Sequence, residues 1–384
     1  MSKKIIINGI TLEGANLIPL LLKVRKWQSF GHEITFFGIP DLQVQIDALA
    51  VLDSYDFITL NHGSGWKNKF QFISESLKRN FFAAFYAKRI AREFDIVYTV
   101  SPVLDLVLFP LLLKMFNKRM KWMSVFDNTV PIFSQGKLIA GSKIIRILAW
   151  FFYRISLCCL KRADMVFVIK PQLRKTLLES GFRAEQLTIT GNGVEGDLIR
   201  KSIFQSELQS DALFIGRLNE AKGIYDILEV VRVVRKKYPD FLLAIMGRGD
   251  EKTEADFLQR IQEKNLEKNI RFFGYRTGQE KYNIIKSSKV FLFLSETESL
   301  PIAPLEAVCS GLKTFVYDLD AYDMYTNEEV MIFKKNDWGA VAEKVLETFE
   351  RGDFANLRGK LLLEKYDWNK IAMLELACIV PEGK

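Results

Sequence analysis

Twelve short apolar runs, each four to six residues long, punctuate this chain, and the longer segments between them carry helical period. Most of the runs are continuous in Val, Ile, Leu and Phe and do not alternate with polar residues. That is the pattern of strands buried on both faces, and a βαβα order of such strands folds as parallel sheets covered by helices. In the first half the strands are expected at Lys4–Asn8, Glu33–Gly38, Phe57–Leu60, Ile96–Thr99, Trp122–Phe126, Met165–Ile169 and Leu187–Thr190. A second series is expected at Ala212–Ile215, Leu242–Met246, Ile270–Phe273, Val290–Leu294 and Thr314–Tyr317.

The chain of 384 residues is too long for one ordinary core and comfortable for two. The polar stretch Ser206–Ser210 reads as a linker, which predicts an N-terminal Rossmann-like domain over 1–205 and a second over 206–365. A final helix within 366–384 carries Ile371, Ala372, Leu374, Leu376 and Ala377 and is expected to pack back across the linker. In such α/β folds the ligand lies at the carboxyl ends of the strands, here in a deep cleft between two facing domains.

Several function classes fall away on composition. Cys158, Cys159, Cys309 and Cys378 form no CxxC and no metal-ligand spacing, and an adjacent pair makes a poor disulfide framework, so reduced, mostly buried thiols are expected. With His32 and His62 as the two histidines, a His-rich metal site is not expected, and His32 reads as structural. The apolar run in MSKKIIINGI is shorter than a secretory core, which reads it as a first strand. The segments Ile144–Leu160 and Ile96–Leu113 are interrupted by Arg146 and Arg154 and by Asp105 and two prolines, so neither reads as a membrane span. The net charge of +8 is uneven: residues 1–200 hold 27 Lys and Arg against 16 Asp and Glu. With no recognition motif for nucleic acid, that excess suits an anionic membrane surface better.

Two segments carry the chemistry. In Phe214-Ile-Gly-Arg-Leu-Asn-Glu-Ala-Lys-Gly223 a strand ends at Gly216, Arg217 and Lys222 sit in the loop, and Gly223 opens a helix. Glycine admits close backbone approach, a helix N-terminus offers unpaired N–H groups, and two cations flank them: an anion site, though a solvated αβ loop has the same parts. In Ser295-Glu-Thr-Glu-Ser-Leu-Pro-Ile-Ala-Pro-Leu-Glu306, a carboxylate precedes the loop and another, Glu306, lies in an apolar helix where burial demands a partner.

Together these segments resemble the retaining glycosyltransferases of the GT-B fold, family 4 (glycosyl transferases group 1). The Gly216-Arg217-Leu218…Lys222-Gly223 loop, Gly247-Arg248-Gly249, and Glu298…Glu306 followed by Ala307-Val308-Cys309-Ser310-Gly311 match that family in order and spacing over about residues 211–318. The resemblance implies that Arg217 and Lys222 bind the donor diphosphate and stabilise the leaving nucleotide, which is electrostatic catalysis. It further implies that Glu306 bonds the ribose, that backbone N–H groups near Ile302 and Ala303 touch the phosphates, and that Glu298 lies beside the donor sugar. Gly14, Gly216, Gly247, Gly249 and Tyr275 complete the implied donor site. No metal or other cofactor is implied; the substrate is a nucleotide-diphosphate sugar, UDP-linked by preference, with GDP as the alternative. Two departures stand out. Phe126-Asp127-Asn128 lacks the His that the family often pairs with this Asp, leaving Asp127 to act alone, and Ser-Leu-Pro replaces the usual Gly-Phe-Gly after Glu298.

The stretch Lys67–Ile73 and the segment Lys78–Arg89 interleave aromatics with cations, with Lys78, Arg79, Lys88 and Arg89 as the expected cationic face. A membrane-facing helix and an ordinary core helix with a basic outer side both fit that pattern. The expected protein is a cytoplasmic glycosyltransferase, peripheral on the inner face of the cell membrane. It would move a sugar to a lipid-linked or growing saccharide acceptor in cell-surface polysaccharide or glycolipid biosynthesis. A nucleotide-sugar-binding subunit with little turnover and a sugar-nucleotide epimerase remain as alternatives.

Overall fold

A computed structural model describes residues 2–10, 17–61, 69–127, 129, 143–298, 301–323, 325–326 and 328–378. The chain divides into two compact units, one of residues 1–191 with 368–384 and one of residues 192–367. The boundary therefore lies earlier than the expected linker. Ser206–Leu208 is a single 3-10 turn running straight into a strand, while Val194 and Ile199 are buried in the second unit's core. The Val194 N–H donates to the Tyr366 carbonyl at 2.7 Å, and Arg200 pairs with Asp367 at 2.7 Å, which ties residues 192–205 to that unit.

The first unit is built on β1 (Lys4–Asn8), β2 (Glu33–Gly38), β3 (Asp56–Thr59), β4 (Ile96–Thr99), β5 (Lys121–Phe126), β6 (Met165–Val168) and β7 (Leu187–Ile189). They pair in the order β3-β2-β1-β4-β5-β6-β7, and all the pairs are parallel. Its helices are α1 (Leu17–Ser29), α2 (Pro40–Leu49), α3 (Lys69–Glu93), α4 (Leu104–Phe116), α5 (Lys143–Leu160) and α6 (Pro171–Glu179). Gly31 ends the turn after α1 at φ +80°, a left-handed position that glycine occupies without strain. Next to it, His32 Nδ1 accepts the Lys3 N–H at 3.1 Å, a structural role. Helices α3, α4 and α5 pack side by side.

In the second unit come α7 (Gly196–Lys201), β8 (Ser210–Ile215), α8 (Ile224–Val234), β9 (Leu243–Met246), α9 (Glu251–Glu263), β10 (Ile270–Gly274), α10 (Gly278–Lys286) and β11 (Ser288–Phe293). They are followed by α11 (Ile302–Cys309), β12 (Lys313–Tyr317), β13 (Met331–Phe333), α12 (Trp338–Arg351) and α13 (Gly359–Tyr366). The parallel order is β10-β9-β8-β11-β12-β13, so the chain reverses direction across the sheet between β8 and β11. The last helix, α14 (Trp368–Ala377), belongs to the first unit and packs on α1. Lys23 on α1 meets Glu375 on α14 at 2.9 Å, the Tyr98 hydroxyl donates to the same carboxylate at 2.8 Å, and all three are buried.

Two sequence expectations need correction. Arg79 is fully buried and paired with Asp105 at 3.2 Å, because a guanidinium facing α4 needs a carboxylate there; it is no part of a cationic surface. Cys158 is exposed, not buried; Cys309 is buried. Among the described residues no helix is long and apolar enough to cross a membrane.

Candidate functional site

The second unit's reversal point places two loops side by side. β8 and β11 are paired neighbours, so the segments leaving their carboxyl ends, Gly216–Gly223 and Leu294–Glu298, meet. Backbone and side-chain bonds join them: the Glu296 N–H donates to the Ala221 carbonyl at 2.9 Å and the Ser295 hydroxyl to the same carbonyl at 3.0 Å. That contact needs glycine at 223. Its φ is +71°, and a Cβ there would stand 2.0 Å from the Leu294 carbonyl oxygen. Gly247, at φ +152°, is equally committed, with a Cβ falling 1.8 Å from the Gly216 oxygen.

Within this frame Lys222 and Glu298 form an ion pair, and the fully buried Ser295 hydroxyl, whose one proton the Ala221 carbonyl and Glu298 share, lies 2.8 Å from the same Glu298 oxygen. The Lys222 ammonium also lies 5.5 Å from the Phe293 ring centre, over its face. The Asn219 side chain caps the short turn by accepting the Lys222 N–H at 3.0 Å, which fixes where the lysine leaves the backbone. Arg217 is exposed and has no carboxylate partner among the described residues, so its charge is available to a ligand. α8 and α11 both begin here, and the first turn of α11 supplies the N–H groups of Ile302 and Ala303. Two helix N-termini and the exposed Arg217, beside a lysine already paired with Glu298, are the groups here that can receive an anion.

Glu306 sits one turn further along α11 and is 5 % exposed. Its carboxylate receives Lys281 at 2.6 Å and the Tyr282 hydroxyl at 2.8 Å, which are the partners that its burial demanded. Burial and the Glu306 charge push the Tyr282 phenol far above its ordinary range, so it stays a hydrogen-bond donor. Beside the switch point, the ends of β9 and β10 bound a cavity of about 340 Å³ lined by Gly247, Arg248, Glu254 and Gly274. Gly249 holds the rim, donating its N–H to Glu254 at 2.8 Å, and Tyr275 stands 65 % exposed just beyond.

Lys222 and Glu298 thus come together, with Gly216 and Arg217 on the lysine's loop and Gly247, Gly249, Tyr275, Ile302, Ala303 and Glu306 on adjoining elements of the same unit. Asp127 follows β5 in the first unit and is half-buried. Gly14 and the Ser299-Leu300 part of the loop lie outside the described residues. Sequence reasoning missed Ser295, Lys281 and Tyr282. It also missed Tyr322, a fully buried phenol after β12 whose pKa is raised well above the ordinary value by burial and then by the Glu298 charge. Among the described residues no group of three or more His, Cys, Asp or Glu side chains could hold a metal ion.

Comparison with known proteins supplies the lineage. Residues 197–360 match the family model of glycosyl transferases group 1. An uncharacterized glycosyltransferase of Methanocaldococcus jannaschii is 27% identical over 285 residues, covering 70% of this chain and 65% of that protein. The GDP-mannose:cellobiosyl-diphosphopolyprenol alpha-mannosyltransferase of Xanthomonas campestris is 26% identical over 165 residues, 41% of this chain and 43% of that enzyme. The chain thus spans less than two thirds of the length of these curated relatives. The crystal structure of HepE of Anabaena in complex with UDP superposes with a TM-score of 0.72 at 11% identity, over 97% of this chain and 98% of that one. With its two Rossmann-like parallel-sheet units the chain has the GT-B fold, and residues 197–360, within its second unit, match the glycosyl transferases group 1.

Proposed function

We propose that this protein transfers a sugar, with retention of anomeric configuration, from a nucleoside diphosphate sugar to a lipid-linked or growing saccharide. The observation that carries the reading is the Lys222–Glu298–Ser295 cluster at the β8/β11 reversal, beside Arg217 and two helix N-termini. Arg217 and Lys222 take the donor diphosphate and offset the charge that builds on it as the glycosidic bond breaks, without a metal. Charge-assisted hydrogen bonds of this kind contribute about 1.5–3 kcal/mol each. The N–H groups of Ile302 and Ala303 add to the phosphate contacts. Glu298, already anchored by Ser295, stands beside the donor sugar, while Glu306 offers the ribose its remaining acceptor capacity. The base goes to the cavity between Gly247, Arg248 and Gly274, with Tyr275 at its mouth, and UDP is the favoured carrier. By the family resemblance, Asp127 also serves the sugar.

Two relatives support this direction by name: the Xanthomonas enzyme uses GDP-mannose and a diphosphopolyprenol-linked acceptor, and HepE was crystallised with UDP. An enzyme with a lipid-linked acceptor works at a membrane, and we place this one on the cytoplasmic face. Leu77, Phe81 and Phe85 of α3 are each more than 60 % exposed, beside Lys78, Lys88 and Arg89. Such a face gains about 1 kcal/mol per cation near an anionic leaflet, plus its buried aromatic area. The direct test is an NMR assay of transfer from UDP-sugars and GDP-sugars to a diphosphopolyprenol-linked saccharide. A product with the donor's anomeric configuration is expected. Inverted product would refute retention, and donor epimerisation without transfer would refute the assignment.

A further inference from the structure

The first unit carries a cavity of its own. It measures about 790 Å³, within the roughly 300–1,000 Å³ of ordinary ligand sites, and lies between the C-terminal halves of α4 and α5. Its apolar walls come from Leu111 and Met115 on one helix and Phe151 and Ile155 on the other, and Met115 and Phe151 are 72 % and 53 % exposed. An apolar trough left open to solvent costs free energy unless something covers it.

The rim is cationic and is not balanced. Segments 111–122 and 151–164 hold seven Lys and Arg residues against the one carboxylate of Asp164. Asp164 is already taken, by Lys114 at 2.5 Å and Lys121 at 3.4 Å. The two helix C-termini offset only about half a charge each. Lys118, Arg154 and Arg162 line the cavity with no carboxylate partner among the described residues. Apolar walls with an uncompensated cationic rim are the chemical complement of an amphiphile with an anionic head and a hydrocarbon tail.

We infer that this groove binds one anionic phospholipid of the membrane leaflet, its phosphate on Lys118, Arg154 and Arg162 and one acyl chain between α4 and α5. The lipid is an anchor and not the acceptor. Lys121 opens β5 and Asp164 immediately precedes β6, so the groove lies at the amino ends of the strands, whereas Asp127 follows a carboxyl end. The inference needs a membrane nearby but no glycosyl transfer.

The test titrates the full chain with short-chain phosphatidylglycerol below its micelle concentration, in parallel with phosphatidylcholine of the same chains and with inorganic phosphate, read by calorimetry. Saturable one-to-one binding of phosphatidylglycerol is expected, at least about tenfold tighter than phosphatidylcholine, with none of inorganic phosphate. The exposed double variant Lys118→Glu/Arg154→Glu should weaken it at least about tenfold. So should Ile155→Trp, which fills the trough and leaves every charge in place; Cys158→Trp, on the exposed wall, repeats that test should Ile155→Trp not fold. Lys78→Glu/Arg89→Glu on α3 should leave this binding intact while weakening association with phosphatidylglycerol vesicles, which separates the groove from the α3 surface. Equal binding of phosphatidylcholine or of phosphate, many lipids per chain, or indifference to both the charge and the filling variants would overturn the proposal.

Discussion

The ammonium of Lys222 is held against the carboxylate of Glu298, and the Ser295 hydroxyl lies 2.8 Å from the same carboxylate oxygen. Two loops that leave adjacent strands are thereby locked together before any donor arrives. Lys222→Ala removes the cation and leaves Glu298 with Ser295 alone. Turnover should fall about 10²–10³-fold, the range for losing one electrostatic stabiliser of a developing anion. Initial rates of transfer at saturating donor measure this. Glu298→Gln, which keeps the hydroxyl contact, should lower turnover while preserving donor affinity measured by calorimetry.

Gly223 holds the same two loops at their closest approach, with φ +71° and the Leu294 carbonyl where a Cβ would go. Gly223→Ala should destabilise the protein by more than about 1 kcal/mol and loosen donor binding in parallel, because strain at such a position cannot relax without parting the loops. Denaturant unfolding and donor titration of the one variant check both halves of this expectation.

Glu306 separates a structural from a binding duty. Glu306→Ala strands the buried Tyr282 hydroxyl, at a cost of about 1–3 kcal/mol in urea unfolding. Glu306→Gln keeps an acceptor for Tyr282 and should lose less stability. If the carboxylate also receives the ribose hydroxyls, that variant should still bind donor about tenfold more weakly.

Much of this site was legible because it is local. Loop chemistry such as Gly216-Arg217…Lys222-Gly223 announces itself within ten residues, and buried parallel strands read as apolar runs. Partnerships across sequence were not legible: nothing near Glu306 indicates that Lys281 and Tyr282, some 25 residues earlier, will answer it. β13 was missed because Met331–Phe333 is a three-residue, half-buried edge strand, and its short apolar run, Val330–Phe333, is closed in by Glu328, Glu329, Lys334 and Lys335. The unit boundary was misjudged for a related reason. Ser206–Ser210 is polar and looks like a tether, while the contacts that assign 192–205 to the second unit run to Tyr366 and Asp367. Arg79 looked like its cationic neighbours; only the arrival of Asp105 from α4 sets it apart.

In the first unit, the Lys23–Glu375 pair fastens the last helix. Both side chains are almost fully buried, at 6% and 1% exposure, and Trp27 adds a hydrogen bond to the Ala372 carbonyl at 2.9 Å. Glu375→Ala leaves a buried ammonium and should cost about 3–5 kcal/mol, whereas Lys23→Met/Glu375→Leu should recover most of that loss. Unfolding curves of the single and double variants give the comparison.

His32 makes stability pH-dependent. Burial, then the N-terminal and Lys3 charges, lowers its pKa from 6.5, and the neutral ring accepts the Lys3 N–H. The folded state therefore binds fewer protons than the unfolded state. The contribution is complete above about pH 6.5 and is lost as pH falls through the folded value. His32→Gln should flatten that part of the profile of unfolding midpoint against pH.

The central claim is that the second unit's cationic loop binds the donor diphosphate. Its most direct test is calorimetric titration of wild type and Arg217→Ala with UDP-sugars and GDP-sugars, with a thermal-shift readout in parallel. At 100 times the dissociation constant, bound donor should stabilise the wild type by about 2.7 kcal/mol. Arg217 is exposed, so its loss should leave the fold intact and abolish both the heat of binding and the thermal shift. Undiminished donor binding by Arg217→Ala, or no binding of any sugar nucleotide by the wild type, would contradict the account.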